Sequence, residues 1–585
     1  MRTEISDILF NIETEYDVSL TDISREKYCK KIEVKVNFSE KTRPDPIFIR
    51  WSMPGKGIYT CWNPLETQDR TIYANWSMRK TESRSASSMP IQCYMGNDGF
   101  NRITVALSDV KTPIKIYSGV VEETADIDWT VELFSQKPEI MEEYYIELWI
   151  DMRLLPWQNI INDIKSKWLQ AYNYFPKTIS DAAYDPVYST WYSFHKKINT
   201  ERIIEDLKKA VKLGIKNIII DDGWQTDDIG FGCSYCGIWK PALSKIPDMG
   251  AFVNEVHKLG MRIIIWIAVP YIGKNTTVWK RFSDRYLNGT RGDCASLDPR
   301  YPEVRQYLIQ SLTYAVQEWN IDGFKLDFID AFQLTDQSYD AEPDMDTLSL
   351  EDGVCMLLDE AYNSLHTIKK DILIEFRQGY IGPIMMRYGD MLRANDCPMD
   401  AVTNRIRILN LRITAEYNVV HSDMLMWNSE DTAEEAARQI INVLFAVPQI
   451  SVYILEIPEQ HYRMLKFYLR LWLEHKEIFM KGKLVLQKPE ANYSLAYACL
   501  KEKVVAVAYS EKLLLIENSV NEIVFINGTG ENILYIDYIC GLVCFSYKIH
   551  NCTGTCIEEG KKIIGNGPER FKIPNSGAIF MKRID

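Results

Sequence analysis

The stretch TERIIEDLKKAVKLGIKNIIIDDGW (residues 200–224) contains the unit on which the predicted fold rests. Its first half has apolar residues at helical spacing and ends at Gly214, where a glycine commonly terminates a helix. Its second half is a short apolar run that ends in two acidic residues. Because such a run is typical of a strand buried on both faces of a parallel sheet, the stretch predicts a helix followed by a parallel strand.

The same alternation continues along the chain from about residue 185, with helical segments between most of the strands. Eight segments qualify as strands: PVYSTWYSF, IKNIIIDDGW, MRIIIWIAVP, IDGFKLDFI, DILIEFRQ, DMLRAND, VVHSDMLMW and QISVYI. Eight such units predict a central (β/α)₈ TIM barrel of the α/β class. A doubly wound open sheet is the structural alternative, which the absence of G-x-G-x-x-G after the first strand disfavours.

The two ends of the chain have the pattern of β domains. Alternating segments such as KIEVKVNF and RITVALSD precede the barrel, and short strands such as VVAVAYS and EIVFING follow it. We therefore predict an N-terminal antiparallel β-sandwich domain over residues 1–160, the barrel over 161–482 and a small C-terminal β domain over 483–585.

Composition and charge exclude several classes of protein. The net charge of −13 gives no general attraction to nucleic acid or anionic membrane, so neither is expected as a partner. No window has the roughly 18 apolar residues of a membrane span, and the N-terminus lacks the pattern of a signal peptide. The 13 cysteines are scattered, and the single C-x-x-C at Cys233 and Cys236 has no matching second pair. These features favour a cytoplasmic protein with no metal site and no cofactor.

The ends of the barrel strands carry the candidate catalytic residues, because active sites of such barrels lie at the carboxyl ends of the strands. Lys325 and Asp327 are two residues apart in the fourth strand, so they share a face. Inward charges are costly to bury without a purpose. The pair is therefore interpreted as a carboxylate nucleophile with an ammonium that binds substrate hydroxyls and keeps the carboxylate ionised. A structural ion pair is the alternative.

Further acidic residues follow the second and sixth strands. Asp221 and Asp222 lie where Gly223 permits a turn, and they suit vicinal hydroxyls better than a metal; capping or loop hydrogen bonding is the alternative. Asp396, just beyond the sixth strand, is the natural second carboxylate of a glycosidase. Arg393 precedes it by three residues and could bind a sugar hydroxyl or pair with a carboxylate. Asp400 fits a helix N-cap at least as well as a site residue.

Four other strand ends offer weaker candidates for substrate binding. The side chains that could stack on a sugar or bind its hydroxyls are Trp191, Trp266, Arg377 and Gln378. His421 and Asp423 share a face of the seventh strand and could form either a supporting pair or a subsite contact. No G-x-S-x-G elbow or phosphate-binding loop is present.

Taken together, these strand ends resemble glycoside hydrolase family 36, the melibiase-type α-galactosidases. The matching pieces are IDDGWQ (220–225), GFKLDFID (323–330), LRANDCPMD (392–400), TWYSFH (190–195) and LDPRYPEVR (297–305). The resemblance implies a retaining hydrolase that releases terminal α-linked galactose from oligosaccharides or glycoconjugates by double displacement. It leaves the oligomeric state undetermined.

The resemblance also implies a role for each matched residue. Asp327 would be the nucleophile and Asp396 the general acid and base, while Asp221 and Asp222 would bind the 4- and 6-hydroxyls of galactose. Lys325 would contact hydroxyls beside the nucleophile, and Trp191 would stack in the galactose pocket. This chain reads FRQGYIGP after the fifth strand, where the bacterial members have a Cys-Ser-Gly-rich stretch. The same site therefore also fits an α-N-acetylgalactosaminidase or a raffinose-synthase type of galactosyl transferase, and a non-catalytic sugar-binding protein is the alternative from another class.

Overall fold

The N-terminal region consists of two antiparallel six-stranded sheets with an apolar core between them, as predicted. We describe it from a computed structural model, which covers residues 1–136, 138–174, 177–335, 343–377, 379–565 and 567–584. The two sheets have the strand orders β1-β2-β5-β11-β10-β7 and β3-β4-β12-β9-β8-β6. Their strands are β1 (Arg2–Ile5), β2 (Ile8–Glu13), β3 (Asp17–Asp22), β4 (Cys29–Thr42), β5 (Ile47–Pro54), β6 (Thr60–Trp62), β7 (Arg79–Ser83), β8 (Ile91–Met95), β9 (Asn101–Leu107), β10 (Ile114–Val120), β11 (Asp126–Leu133) and β12 (Met141–Asp151).

The central region is a closed barrel of eight parallel strands, and all eight predicted strands take part in it in sequence order. The strands of the region are β13 (Val187–Ser189), β14 (Asn217–Ile220), β15 (Arg262–Ala268), β16 (Tyr271–Gly273), β17 (Tyr286–Arg291), β18 (Cys294–Leu297), β19 (Gly323–Asp327), β20 (Leu373–Arg377), β21 (Met391–Arg393), β22 (Val419–Leu425) and β23 (Val447–Ile450). β16, β17 and β18 form a separate small sheet, inserted after β15. All four residues of β14 are buried, which explains its apolar sequence.

Helices surround the barrel. They are α1 (Trp157–Ala171), α2 (Trp191–Phe194), α3 (Thr200–Ala210), α4 (Met249–Lys258), α5 (Pro302–Trp319), α6 (Leu350–Ile368), α7 (Pro383–Met386), α8 (Ala401–Thr414), α9 (Ala433–Ile441) and α10 (Glu459–Lys481). α3 begins at Asn199, whose side chain accepts from the Arg202 amide, and buries Ile203 and Leu207. The chain then leaves through one 3₁₀ turn at Gly214, where φ is 85°. No helix in the described part of the chain is long and apolar enough to cross a membrane.

Two element boundaries differ from the prediction. The first strand ends at Ser189, so Trp191 begins the short helix α2 instead of lying on the strand. The run TAEEAARQIINVLFAV (residues 432–447) predicts a helix over its whole length, but α9 ends at Ile441, and the residues after it form turns that lead into β23. Both differences arise because short apolar runs do not distinguish a strand end from a helical turn.

The C-terminal region is again β. A seven-stranded sheet has the order β24-β25-β26-β28-β33-β30-β31, and a three-stranded sheet of β27, β29 and β32 packs across it through a common apolar core. The strands are β24 (Lys483–Gln487), β25 (Leu495–Leu500), β26 (Lys503–Ala508), β27 (Leu513–Ile516), β28 (Glu522–Asn527), β29 (Leu534–Tyr538), β30 (Val543–His550), β31 (Cys556–Ile564), β32 (Glu569–Phe571) and β33 (Ala578–Arg583). The proposed boundary at 482/483 lies between α10 and β24, whereas the one at 160/161 lies within α1; both stay proposals.

A loop of the N-terminal region reaches the carboxyl end of the barrel. A guanidinium nitrogen of Arg84 donates to the backbone carbonyl of Asp330, and the Ser88 amide donates to the Gly379 carbonyl at 2.9 Å. A Cβ at Gly382 would lie 2.9 Å from the Ser88 carbonyl oxygen, so the backbones meet closely here. The loops after β19 and β20 are therefore held by residues of the N-terminal region.

Candidate active site

Asp327 is the last residue of β19, and each of its carboxylate oxygens has a fixed partner. Oδ2 accepts from the indole nitrogen of Trp266 at 2.9 Å. Oδ1 accepts from the Phe328 amide at 2.8 Å and lies 2.6 Å from Nε of Arg377 in an ion pair. Phe328 has a φ of 63°, so the chain turns sharply directly after the carboxylate. Asp327 is thus held in one orientation at the barrel rim.

Lys325 does not pair with Asp327 in this structure, contrary to our expectation. Its ammonium lies 2.7 Å from Oδ2 of Asp221, and both side chains are almost fully buried. The cation that lies beside Asp327 is instead Arg377, whose side chain extends from the neighbouring strand β20. Sequence spacing correctly put Lys325 and Asp327 on one face, but it could not tell which acid the flexible lysine would reach.

The Asp-Asp-Gly turn after β14 directs its two carboxylates to different partners. Asp221 contacts Lys325, whereas Asp222 lies 3.2 Å from the ammonium of Lys196 and accepts from the Gln225 amide at 2.7 Å. Burial raises the pKa of Asp222, and the contacts with Gln225 and Lys196 oppose that rise. Each carboxylate therefore meets one ammonium at the rim, and sugar hydroxyls would have to share these partners.

The turn requires a glycine for two reasons. Gly223 has a φ of 109°, which residues with a side chain rarely adopt, and a Cβ there would lie 2.4 Å from the Cα of Lys196. The backbone of the loop after β13 therefore approaches the Asp-Asp turn directly. This approach is what brings Lys196 to Asp222.

Asp396 follows β21 and is half-exposed, with 44% of its side chain accessible. Nη1 of Arg393 lies 2.9 Å from its Oδ1 and 2.6 Å from Oδ1 of Asp423. Partial burial favours the neutral form, but the charges of Arg393 and Lys325 outweigh it and hold the pKa of Asp396 at about 2. A general acid needs a raised pKa, whereas in the substrate-free protein Arg393 keeps the Asp396 carboxylate ionised.

Arg393 is fully buried and pairs with carboxylates, which favours the pairing interpretation over a direct contact with sugar. Asp423 also accepts from the Tyr192 hydroxyl at 2.9 Å and from the Cys397 amide at 2.7 Å. Asp423 thereby fixes both Arg393 and the start of the loop after Asp396. It supports the site from beneath.

His421 belongs to the interior of the barrel. Its Nε2 lies 2.8 Å from the Ala183 carbonyl oxygen, and burial lowers its pKa to about 4. Glu375 lies at the same depth, 3.6 Å from Nε of Arg393, and burial raises its pKa to about 7. Gln449 donates to Glu375 and lies 3.3 Å from Nδ1 of His421. These groups form a polar layer below the rim.

The two tryptophans predicted as substrate contacts occupy different positions. Trp266 is 4% exposed, so it reaches the site through its N–H bond to Asp327 and not as an open stacking surface. Trp191 is partly exposed, and its ring packs on His195 with centroids 4.6 Å apart. Asp400 caps α8 by accepting from the Thr403 amide, and Gln378 lies outside the described residues.

Several residues of the site were not anticipated, among them Lys196, Tyr192, Gln225 and Glu375. Lys196 directly follows the quoted TWYSFH piece, so its place after the first strand was the available signal. Glu375 alternates with Arg377 on the fifth strand and therefore shares its face. Tyr192 could not be found, because it was predicted to lie on a strand and it lies on α2.

A cavity of about 610 Å³ lies next to the site, and Asp327 itself is not among the residues that line it. Its lining includes Phe328 and Arg377 next to Asp327, and Tyr271 and Arg291 from the small sheet. Within the described ranges, no group of three or more His, Cys, Asp or Glu side chains is arranged to hold a metal ion. The fold and the site thus define a (β/α)₈-barrel protein with a cluster of paired carboxylates and cations at the carboxyl ends of its strands.

Comparison with known proteins shows which family the barrel is similar to. Residues 166–412, which make up most of the barrel, match the Melibiase family model. Curated relatives include α-galactosidase Mel36A of Lactobacillus acidophilus, 26% identical over 148 residues, and an α-galactosidase of Escherichia coli, 26% identical over 149 residues. Each alignment covers 24% of this chain and 20% of the relative, so it spans about a fifth of the relatives' length.

Solved structures share the fold over almost the entire chain. Family 36 α-galactosidase AgaA of Geobacillus stearothermophilus has a TM-score of 0.65 at 13% identity, covering 99% of this chain and 82% of its own. Variants of that enzyme have been solved with raffinose and with stachyose. α-Galactosidase TtGalA of Thermus thermophilus has a TM-score of 0.51 at 15% identity, covering 84% of this chain and 96% of its own. The predicted resemblance to glycoside hydrolase family 36 and the predicted fold are both confirmed.

Proposed function

We propose that this protein is a retaining α-galactosidase, which releases terminal α-linked galactose from oligosaccharides. The observation that carries the proposal is the arrangement around Asp327. Its carboxylate ends a barrel strand, and a tryptophan N–H, a backbone amide and a guanidinium hold it in place. A second carboxylate, Asp396, follows the strand after next and is open to solvent.

In this proposal Asp327 is the nucleophile. Its carboxylate attacks the anomeric carbon of the galactoside, the bond to the leaving oxygen breaks, and a β-galactosyl ester forms. Fixed donors on both oxygens orient the carboxylate before substrate arrives, which reduces the reorganisation needed in the transition state. Water then adds to the anomeric carbon, and Asp327 leaves as a free carboxylate with the α configuration restored.

Asp396 is the proposed general acid and base. It gives a proton to the departing oxygen in the first step and takes one from the attacking water in the second. With a pKa of about 2 in the free protein, it is deprotonated at neutral pH. We therefore infer that bound substrate separates Asp396 from Arg393. The half-exposed Asp396 can turn away, whereas Arg393 is buried and stays with Asp423.

Asp221 and Asp222 are the proposed sugar-recognition pair. Each lies at the rim with an ammonium beside it, so a hydroxyl can donate to the carboxylate while its oxygen accepts from Lys325 or Lys196. Galactose differs from glucose in its axial 4-hydroxyl. A carboxylate that is fixed for this direction would lose its hydrogen bond to the 4-hydroxyl with glucose, which accounts for discrimination.

Hydrolysis of aryl α-glycosides, with the product anomer followed by NMR, tests the proposal. We expect cleavage of the α-galactoside with initial release of α-galactose, and we expect release of galactose from raffinose and stachyose. Asp327→Gly should abolish turnover. The matched control is Asp400→Asn, because asparagine caps a helix as well as aspartate does. Release of β-galactose first, or ordinary turnover by Asp327→Gly, would contradict the proposal, and preferred cleavage of the N-acetylgalactosaminide would favour that alternative.

We further propose that the protein works in a reducing compartment such as the cytoplasm. All 13 cysteines, each of which lies in the described part of the chain, are free thiols. The partners expected are the galactoside substrates, and the negative net charge argues against nucleic acid and anionic membranes.

A further inference from the structure

Strand β31 forms an edge of the seven-stranded C-terminal sheet. It pairs with β30 on one side, and in the described part of the chain no strand covers its other side. It is nine residues long and mostly exposed, with Ile557 52% and Ile563 61% accessible. A long exposed edge of this kind is a ready template for pairing with another strand.

The sequence of β31 is complementary to itself when it runs antiparallel. It reads CIEEGKKII, and Gly560 is its midpoint. Around this midpoint, Ile557 lies opposite Ile563 of a second copy, Glu558 opposite Lys562, and Glu559 opposite Lys561. Every charge therefore meets an opposite charge, and the exposed isoleucines meet each other.

We propose that β31 pairs with β31 of a second copy of this chain, joining the two C-terminal sheets across a two-fold axis at Gly560. Such a self-complementary interface is what a symmetric dimer requires. Charges on an edge strand usually discourage pairing, because a lone lysine meets a lysine of the copy. Here the order Glu-Glu-Gly-Lys-Lys replaces that repulsion by four attractive pairs.

The surroundings of β31 suit this arrangement. The Tyr547 ring lies beneath Gly560, where a Cβ would come within 3.0 Å of its hydroxyl oxygen. Glu558 accepts from that hydroxyl at 2.9 Å, and Lys562 lies 2.7 Å from Glu569, so these two side chains already lie in place along the edge. Glu559, on the opposite face, has only a weak contact of 3.6 Å to Lys548, and both side chains are over 60% exposed.

Apolar side chains extend the surface beyond the strand itself. Leu542, next to the start of β30, is 61% exposed, and Ile539 is 56% exposed. Val543 pairs with Ile564, so these residues lie at the same end of the edge as Ile563. In a two-fold dimer these apolar side chains would lie at both ends of the paired strands, and their burial would stabilise the dimer further.

Charge reversal on the less constrained face provides the test. In Glu559→Lys, positions 559 and 561 are both lysine, and in Lys561→Glu both are glutamate, so each variant repels its own copy. We expect the unchanged chain to sediment as a dimer with a mass near twice 68.0 kDa. Each single variant should dimerise roughly tenfold or more weakly at low salt.

Two further samples separate pairing from misfolding. An equimolar mixture of the two single variants should recover the dimer, since lysines now face glutamates. The double variant Glu559→Lys/Lys561→Glu restores opposite charges and should dimerise as the unchanged chain does. A monomeric unchanged chain, or a double variant that stays monomeric while circular dichroism shows it folded, would overturn the proposal. So would single variants that dimerise normally.

Discussion

Replacement of Gly223 by alanine is the perturbation whose effect the structure defines most closely. The new Cβ would lie 2.4 Å from the Cα of Lys196, whereas an ordinary contact between such atoms begins near 3.4 Å. One backbone segment must therefore move by about 1 Å. The residue would also be forced into a φ of 109°, at a cost of about 1–3 kcal/mol in the free energy of unfolding.

The displacement acts on the proposed sugar-binding pair. Lys196 contacts Asp222, and Asp222 follows Asp221 directly, so a shift of the turn moves both carboxylates relative to Asp327. A misplacement of about 1 Å at a catalytic site costs roughly 100-fold in rate. We expect kcat/KM for an aryl α-galactoside to fall by about that factor.

Kinetics and urea unfolding, measured on the same preparations, check this reasoning. The matched control is Gly260→Ala, which has a φ of 72° with nothing within 4 Å of the new Cβ, so it has backbone strain without the clash. The control should lose about 1–2 kcal/mol of stability and keep its kcat/KM. If folded Gly223→Ala has the kcat/KM of the unchanged chain, the close approach of the two loops is not needed for activity, and the predicted effect of the clash is refuted.

Three other perturbations have defined outcomes. Asp396→Asn should lower kcat/KM for raffinose 10²- to 10⁴-fold but change kcat/KM little for an activated aryl galactoside, whose leaving group needs no proton in the first step; equal losses of kcat/KM on both would refute the acid role. Arg377→Gln should lower kcat roughly 10- to 100-fold by removing the cation beside Oδ1 of Asp327, and Arg377→Lys should recover part of it; an unchanged kcat in Arg377→Gln would contradict this. The pKa of His421 is 6.5 in the unfolded chain and about 4 in the folded chain. Between these pH values the unfolded chain is protonated at His421 and the folded chain is not. The free energy of unfolding should therefore drop by about 3 kcal/mol as pH falls from 6.5 to 4. In urea unfolding, His421→Gln should flatten that part of the stability curve, and a curve of unchanged slope would refute the assignment.

The barrel could be predicted because its signal is local and repeated. Each apolar run such as Ile218–Ile220 is buried on both faces, and each intervening helix has its own start and stop signals, as α3 has in Asn199 and Gly214. The carboxyl end of each strand then defines the rim without any further information. Asp327, Asp396 and the Asp-Asp turn were found in this way.

Partners across the barrel could not be predicted from the same sequence. Lys325 was expected to serve Asp327, but its four-carbon side chain reaches Asp221 on another strand, and Arg377 takes the place beside Asp327. The low pKa of Asp396 likewise depends on which carboxylates the guanidinium of the buried Arg393 contacts. Spacing fixes the face of a strand on which a side chain lies, whereas the choice among several nearby acids depends on distances that only the folded barrel sets.

The loop that contains Arg84 and Ser88 belongs to the N-terminal region, yet it contacts the rim of the barrel next to the site. This loop is hydrogen-bonded to the segments after β19 and β20. The position of those segments therefore depends on the N-terminal region as well as on the barrel. Removal of the N-terminal region would therefore remove these contacts from the rim of the barrel. By the same connection, a substitution in the core of the N-terminal sheets, distant in sequence from every carboxylate of the site, can alter KM without unfolding the molecule.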